Sequence, residues 1–384
     1  MSTSNQSVLK TNRKPGVTPV KATSWYIVLF LLMLIGVIAF VIRALNGLST
    51  TNLSSAMPWG TWVAFYIYFV GMSAGAFLLT SLIHVFDMEH LEEVGKDATL
   101  VAIISMVLAL FFILMDLGHM ERFWHAIWYW NSTSILSWEI RFYTIYIVLL
   151  LAELYYALKH DKKKLKLLGA IGIPIAIFGV HGGTGVLFAV VKAQPYWNTA
   201  IFPVIFVISA LVSGTALVTA IYIIRNKIAG KEPDISLVKS LASWMVLFLV
   251  IDVGLQFFEI LVGVYGLEEQ ELATLATIFT GSFALNFWVV QMGIGVIIPL
   301  ILYFNPRTRQ STTAMFWAAV AVVIGILGVR FNIVVPALTV PVLPGLPAGY
   351  YYPSWIEWTI SIGIISLGII IYTLAVKLLP IDNK

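Results

Sequence analysis

Long apolar segments recur along the chain, and most polar residues gather in the connections between them. A helix needs about 20 apolar residues to cross a bilayer, and ten segments meet that length. In chain order, spans 1 to 10 cover residues 25–45, 59–86, 98–116, 138–158, 168–191, 200–224, 241–263, 278–303, 313–335 and 355–378. The pattern predicts an all-α integral membrane protein with one polytopic domain, 25–379, between cytoplasmic segments 1–24 and 380–384.

Span 2 differs in composition from a plain membrane anchor. The stretch PWGTWVAFYIYFVGMSAGAFLLTS begins with proline, carries Tyr66 and Tyr68, and continues with small residues that permit close helix packing. We therefore expect it to lie inside a helix bundle. Its segment SAGAFLLT resembles VSGTALVT of span 6, which aligns Gly75 with Gly214. The likeness predicts two parallel-related four-helix bundles, spans 2–5 and 6–9, with spans 1 and 10 flanking them; chance similarity between apolar helices is the competing explanation.

Basic residues follow one side of the predicted spans. All but five of the 23 Lys and Arg residues lie at the N-terminus, the C-terminus or the connections of one membrane face, which we call inner. The opposite, outer connections 46–57, 264–277 and 336–354 carry none. The positive-inside rule therefore predicts that both termini are cytoplasmic. Because charge follows the membrane side, no nucleic-acid partner is predicted.

The composition excludes several kinds of redox centre on this chain. Only 11% of the residues are charged, against about 25% in soluble domains, and there is no cysteine. Disulfides, iron–sulfur clusters and thiolate metal sites are therefore excluded. A di-heme bundle needs histidines paired at matching depths, but His84 lies at the inner end while His119, His125 and His181 are outer. We expect no heme and no metal site on this chain. A single heme bound between His119 and His181 stays open as the alternative.

Polar residues collect near the outer ends of the spans. The five basic residues outside the inner set, Arg43, Arg122, Arg141, Lys192 and Arg330, all fall there. Charge inside a membrane is costly and is usually paired or functional. Quinone carbonyls accept hydrogen bonds, quinol hydroxyls donate them, and a nearby His or Asp can accept protons on oxidation. We therefore predict a quinone site among Tyr66, Tyr68, Asp116, His119, Arg141, His181, Lys192 and Arg330. Interfacial snorkelling or fold-stabilising pairs are the alternative.

A second set of polar residues lies deeper. Asp252, Gln256 and Glu259 share a face of span 7 because they are spaced by three or four residues. With Gln291, Glu153 and His84 they are candidates for a proton path, and a hydrogen-bonded packing seam is the alternative.

Several segments, taken in order, resemble the NrfD/PsrC family, the membrane subunits of polysulfide-reductase-type complexes. They are PWGTWVAFYIYFVGMSAGAF in span 2, MDLGHMERFWHAI at 115–127, HGGTG through Lys192 to the Pro-Tyr-Trp of 195–197, and Arg330 with YYYPSWIEWTISIG at 350–363. His119 stands where that family commonly has Arg. Ten spans resemble the longer branch, which includes hydrogenase-associated and sulfite-reduction-associated subunits.

The resemblance implies a heme-free, menaquinol-reactive subunit in a prokaryotic cytoplasmic membrane. It implies a ferredoxin-like iron–sulfur partner on the outer face and further redox subunits, such as a molybdopterin enzyme, a hydrogenase or a multiheme cytochrome. It places the quinone near Tyr66, Asp116 and His181.

The expected function is thus electron exchange between menaquinol and that partner, with the terminal catalytic site on another subunit and with possible coupling to proton translocation. The alternatives are a secondary transporter or ion channel with a polar site at the membrane midplane, and a purely structural anchor.

Overall fold

Ten helices of the described chain are long and apolar enough to cross a membrane. The computed structural model describes residues 22–343 and 345–379, so the predicted terminal segments 1–24 and 380–384 fall almost wholly outside it. Spans 1 to 10 are Ser24–Thr50, Thr61–Val85, Glu89–Asp116, Ile135–Leu158, Lys162–Ala189, Phe202–Ile228, Ile235–Gly266, Asn286–Phe304, Thr312–Thr339 and Trp355–Leu378. The predicted number of spans is confirmed, and the described residues contain no strand.

Span 8 begins later than its hydropathy predicts. Residues 278 and 279 belong to a separate short helix, Glu269–Phe279, on the outer side. That helix ends where the amides of Thr280 and Gly281 both bond the carbonyl of Ala276. Span 8 starts after this turn and is π-helical from Asn286 to Ile297. The predicted start at 278 was wrong because the apolar end of an amphipathic surface helix runs directly into the next span.

Span 5 is interrupted where the sequence predicts. It is α-helical over Lys162–Pro174, π-helical over Ile175–His181 and α-helical again over Gly182–Ala189. Proline lacks an amide hydrogen and disturbs the regular bonding at the join. A π segment often marks a functional position, and this one ends on His181.

Span 2 is the centre of the molecule. It packs against spans 3, 5, 6 and 9, and its most apolar 18-residue window is entirely buried. Spans 2 and 6 cross at the two glycines that the repeat aligns. A Cβ on Gly75 would lie 1.8 Å from the Ala210 carbonyl oxygen, and one on Gly214 would lie 2.2 Å from the Gly75 carbonyl carbon. Only glycine permits this approach.

The helices form the two predicted bundles. Spans 2–5 pack in one ring and spans 6–9 in another. Within the bundles, span 2 contacts span 5 as span 6 contacts span 9. Between the bundles, span 2 contacts span 9 as span 6 contacts span 5. Spans 1 and 10 pack against each other, and span 10 packs against span 3. The inner ends of the spans contact one another, as Lys162 of span 5 with Glu92 of span 3 at 2.9 Å and Lys227 of span 6 with Thr313 of span 9 at 2.7 Å show. The side of the membrane on which this end lies stays a prediction.

Candidate functional site

A buried carboxyl group lies at the outer end of the first bundle. Glu139, on the first turns of span 4, has 2% of its surface exposed. Its Oε1 accepts hydrogen bonds from Tyr143 at 2.8 Å and from Thr184 of span 5 at 2.5 Å. The Tyr143 hydroxyl also lies 2.7 Å from that of Tyr66 on span 2. Three spans therefore join at one carboxyl group, whose Oε2 has no hydrogen-bond partner.

The hydrogen bonds of this cluster run in one direction. A tyrosine hydroxyl has a single hydrogen, and Tyr143 donates it to Glu139. Tyr66 must then donate to the oxygen of Tyr143, which leaves the Tyr66 oxygen as an acceptor. The result is a chain of two hydroxyls that ends on a carboxyl group. Hydroxyl groups both donate and accept, so such a chain can pass a proton.

His181 lies one helical turn from Thr184 and faces a different partner. Its Nε2 accepts a hydrogen bond from Arg330 at 3.1 Å, and Arg330 also donates to Ser209 at 2.9 Å. Because arginine only donates, the neutral imidazole must carry its hydrogen on Nδ1, which has no partner. Gly71 makes room for this contact, since a Cβ there would lie 3.0 Å from His181 Nε2. His181 and Arg330 are both fully buried, and the guanidinium lies over the Phe206 ring at 4.7 Å.

The two tyrosines of span 2 point into different bundles. Tyr66 faces span 4, as described above. Tyr68 donates to the carbonyl of Val323 on span 9 at 3.0 Å. Of the two, Tyr66 alone joins the Glu139 cluster, and Tyr68 holds the bundles together.

Asp116 and Arg141 lie apart from this cluster. Asp116 ends span 3, where its electrostatic neighbours are Glu357 and Arg43. Arg43 in turn donates to the carbonyls of residues 115 and 117. Arg141 stands over the Trp130 ring at 5.8 Å. Span 3 thus turns the Asp116 carboxyl group toward Arg43 of span 1 and Glu357 of span 10, and its contact with a quinone stays a prediction.

His119 and Lys192 lie on the surface. The His119 side chain is 69% exposed and pairs with Glu121 at 3.0 Å. Lys192 is exposed in the connection after span 5. His119 therefore does not face the buried His181, and the heme arrangement left open above does not form from this pair. Among the described residues, no three His, Asp or Glu side chains are grouped to hold a metal ion.

The candidate proton-path residues form three separate groups. His84 lies 3.5 Å from Glu153 at the inner end of the first bundle. Glu259 instead accepts from Thr199 at 3.2 Å. The third group, Asp252, Gln256 and Gln291, bonds internally in the second bundle. The first group and the third therefore lie in different bundles, and a role in proton transfer stays a prediction for each of them.

Glu139, Tyr143 and Thr184 were missed from the sequence. A signal was present, because Glu139 and Tyr143 are one turn apart in an apolar span and so share a face. The predicted site was instead based on the basic residues near the outer ends of the spans.

Comparison with known proteins identifies the family. The family model described as "Polysulphide reductase, NrfD" matches residues 49–342. This chain belongs to the NrfD family. Its relatives include a selenate reductase subunit of Mesobacillus selenatarsenatis, 36% identical over 94% of each chain. The Hdr-like menaquinol oxidoreductase integral membrane subunit of Archaeoglobus fulgidus is 28% identical, over 92% of this chain and 91% of the relative. The menaquinone reductase integral membrane subunit of Nitratidesulfovibrio vulgaris is 24% identical, over 88% and 86%. The resemblance predicted for this NrfD-family protein is confirmed, and it is a multi-pass integral membrane protein.

Proposed function

We propose that this NrfD-family chain is the quinone-interacting membrane subunit of a multisubunit respiratory oxidoreductase. The observation that carries the proposal is the buried hydroxyl chain from Tyr66 through Tyr143 to Glu139. Support comes from two relatives whose names state menaquinol or menaquinone chemistry. We place the quinone ring beside Tyr66 and His181, in the outer half of the first bundle.

The polar groups present suit a quinol and its oxidised form. The oxygen of Tyr66 accepts, as a ring hydroxyl requires, and His181 Nδ1 donates, as a ring carbonyl requires. His181 Nδ1 and Glu139 Oε2 are buried polar atoms without partners. Leaving such atoms unpaired costs free energy, so a ligand that bonds them gains affinity.

The residues of the chain would manage the protons. Bound menaquinol supplies two electrons and two protons when it is oxidised to the quinone. Tyr66 would take the first proton from a quinol hydroxyl as it passes its own to Tyr143, and Glu139 would take the proton that leaves Tyr143. The second proton would follow the same route after Glu139 has released the first one toward the outer side. The hydrogen bond from Arg330 to Nε2 fixes the tautomer of His181, so that Nδ1 would orient the second oxygen.

The electrons need an acceptor outside this chain, because it has no cysteine to hold a cluster. We propose a ferredoxin-like iron–sulfur subunit on the outer face, near the Glu139 end of the bundle, within an assembly of further redox subunits. The membrane would be the cytoplasmic membrane of a prokaryote, with both termini inside. Coupling to proton translocation would use the His84–Glu153 pair at the inner end of the same bundle.

A secondary transporter or channel is the competing function. The π segments of spans 5 and 8 favour it, because broken helices often line transport sites. A transporter needs no redox partner and does not depend on the redox state of a quinone.

The test is Glu139→Gln in the complex purified through this chain, assayed by quinol-dependent reduction of the partner's clusters. We expect kcat to fall by about 10²–10⁴-fold, the usual contribution of a positioned proton acceptor. The control is Glu232→Gln, an exposed position in an inner connection. Normal turnover by Glu139→Gln in an intact complex would contradict the proposed role.

A further inference from the structure

A cavity of about 380 Å³ lies in the second half of the molecule, away from Glu139. It is bounded by the start of span 2, the outer ends of spans 8 and 9, span 10 and the connection before span 10. Its wall is largely aromatic and includes Phe65, Phe283, Phe331 and Trp358. Volumes of 300 to 1,000 Å³ with apolar walls and a few polar groups are typical of small-molecule sites.

The cavity opens sideways toward the lipid. Three apolar side chains of its wall, Leu285, Ile324 and Trp358, are 74%, 43% and 46% exposed on the membrane-facing surface. At the outer end, Tyr351 closes it: the Tyr351 hydroxyl accepts from the Thr61 amide at 2.8 Å and donates to the buried Glu357. A molecule dissolved in the bilayer can thus reach the cavity from the side of the protein.

A chain of side-chain amides leads from this cavity into the second bundle. Asn286, in the cavity wall, donates to Asn332 at 2.7 Å. Asn332 donates to Gln291 at 2.8 Å, and Gln291 donates to Gln256 at 2.9 Å. Gln256 donates to Oδ2 of Asp252 at 2.6 Å. Four amides in series therefore connect the cavity to one buried carboxyl group.

Every amide of the chain donates toward Asp252. An ionised carboxylate only accepts, so this is the direction that the charged form imposes. At the far end, Asn286 uses its amino group on Asn332 and on the Gly328 carbonyl at 3.0 Å. The Asn286 carbonyl oxygen is then the atom left for a ligand, and it prefers a hydroxyl group.

A protonated Asp252 permits the reverse direction. The acid can donate to Gln256, and each amide can turn over in response. At Asn286 this turn gives up the bond to the Gly328 carbonyl and leaves the amino group for a carbonyl oxygen in the cavity. Amides do not relay protons as hydroxyl groups do, because each keeps both of its hydrogens. A change in the protonation of Asp252 is therefore transmitted as a reversal of every hydrogen bond in the chain, without transfer of a proton.

Few charged groups surround Asp252, so its own protonation state determines the direction of the hydrogen bonds in the amide chain. Arg330 on span 9 is the charged group that acts on it among the described residues. Span 8 contains no charged residue, and span 6 carries charge only at its inner end, at Arg225 and Lys227. The other oxygen of Asp252 has no hydrogen-bond partner, and Asp252 also lines a further cavity of about 260 Å³.

We propose that the cavity at Asn286 is a second binding site for a lipid-soluble aromatic molecule of the quinol and quinone class. The amide chain makes the site select the hydroxyl form when Asp252 is ionised and the carbonyl form when Asp252 is protonated. The class of ligand rests on the proposed function, whereas the site shares no residue with the Tyr66–Glu139 cluster. An acyl chain would fill the cavity without using the amide.

Location is tested with a photoreactive azido-naphthoquinone added to the whole complex, with the labelled peptides identified by mass spectrometry. We expect label on peptides of spans 8 and 9 or residues 349–353, in addition to peptides of spans 4 and 5; label on span 2 is not used, because the start of that span borders the second cavity. Label on spans 4 and 5 alone would overturn the second site and leave the proposed function standing. Label on the second bundle alone would overturn the placement of the quinol at Tyr66. Label on neither, with a phospholipid retained in the cavity, would overturn both.

Selectivity is tested by competition for the second-site label, with menadiol and menadione compared across pH. In the unaltered complex we expect the ratio of their affinities to change by about three- to tenfold, the worth of one buried hydrogen bond. The ratio should lose its pH dependence in Asp252→Asn and in Asn286→Leu, and should keep it in Asn46→Leu. Asn46 is the control because its amide bonds only the Ile42 carbonyl at an exposed helix end. A pH-dependent ratio that survives Asp252→Asn would refute the coupling.

Discussion

Two buried tyrosines on span 4 offer a matched test of the hydroxyl chain. Tyr143 and Tyr146 lie one turn apart, and both are almost fully buried. Tyr143 joins Tyr66 to Glu139, whereas the Tyr146 hydroxyl bonds the Ser73 carbonyl at 3.0 Å and the Ser73 hydroxyl at 3.1 Å. Phenylalanine at either position removes one hydroxyl and keeps the ring. Only the change at Tyr143 interrupts the proposed route of the proton.

We expect similar losses of stability for the two substitutions and very different losses of turnover. Tyr143→Phe removes contacts of 2.7, 2.8 and 2.9 Å, and Tyr146→Phe removes contacts of 3.0 and 3.1 Å. Buried groups left unpaired cost about 1–3 kcal/mol, so both variants should unfold at slightly lower temperature. A lost proton-transfer group costs about 10²–10⁴-fold in rate, and we expect this for Tyr143→Phe alone.

The assay is quinol-dependent reduction of the complex, with kcat and KM determined separately and thermal unfolding followed on the same samples. Because Tyr143 and Glu139 act as one unit, the double variant Tyr143→Phe, Glu139→Gln should be little slower than either single variant. Equal kcat for Tyr143→Phe and Tyr146→Phe at comparable stability would refute the relay. Independent losses that multiply in the double variant would also refute it.

Two further predictions concern the fold and its orientation. Gly75→Leu should lower the unfolding free energy by at least about 3 kcal/mol, the upper part of the overpacking range, because the new Cβ would overlap a backbone carbonyl. The measurement is thermal unfolding. The control is Gly254→Leu, where a Cβ would meet no neighbouring group within 4 Å. Since the chain has no cysteine, Ser132→Cys and Lys164→Cys can each be labelled without background; in right-side-out vesicles an impermeant maleimide should label only Ser132→Cys, and the opposite result would reverse the assigned orientation.

Features that depend on helix periodicity and covalent constraint could be predicted from the sequence. Ten spans follow from length and hydropathy, and the break in span 5 follows from Pro174. The contact of Gly75 with Gly214 is consistent with the repeat, because two equivalent residues meet where related helices cross. The central place of span 2 follows from its small residues. These features depend only on the order of residues along the chain.

The composition of the site could be predicted only in part. Tyr66 and His181 lie where the sequence suggests, but their hydrogen-bond partners Tyr143 and Arg330 are determined by the rotation of spans 4 and 9 about their axes. Hydropathy fixes the depth of a residue and says little about that rotation when a helix is apolar all round. Asp116 has the predicted depth, and it faces spans 1 and 10 for the same reason.

The two bundles use different polar chemistry in the same architecture. The first bundle joins its spans through hydroxyl groups that end on Glu139, and the second joins its spans through amides that end on Asp252. Hydroxyl groups can hand a proton onward, while amides keep theirs and transmit only direction. A bundle that oxidises a quinol needs the first property, and a bundle that senses whether a bound ring is reduced needs the second. His181 and Arg330 bond each other between spans 5 and 9. The guanidinium of Arg330 therefore interacts both with His181 of the first bundle and with Asp252 of the second, and it is the charged group through which the two polar networks are connected.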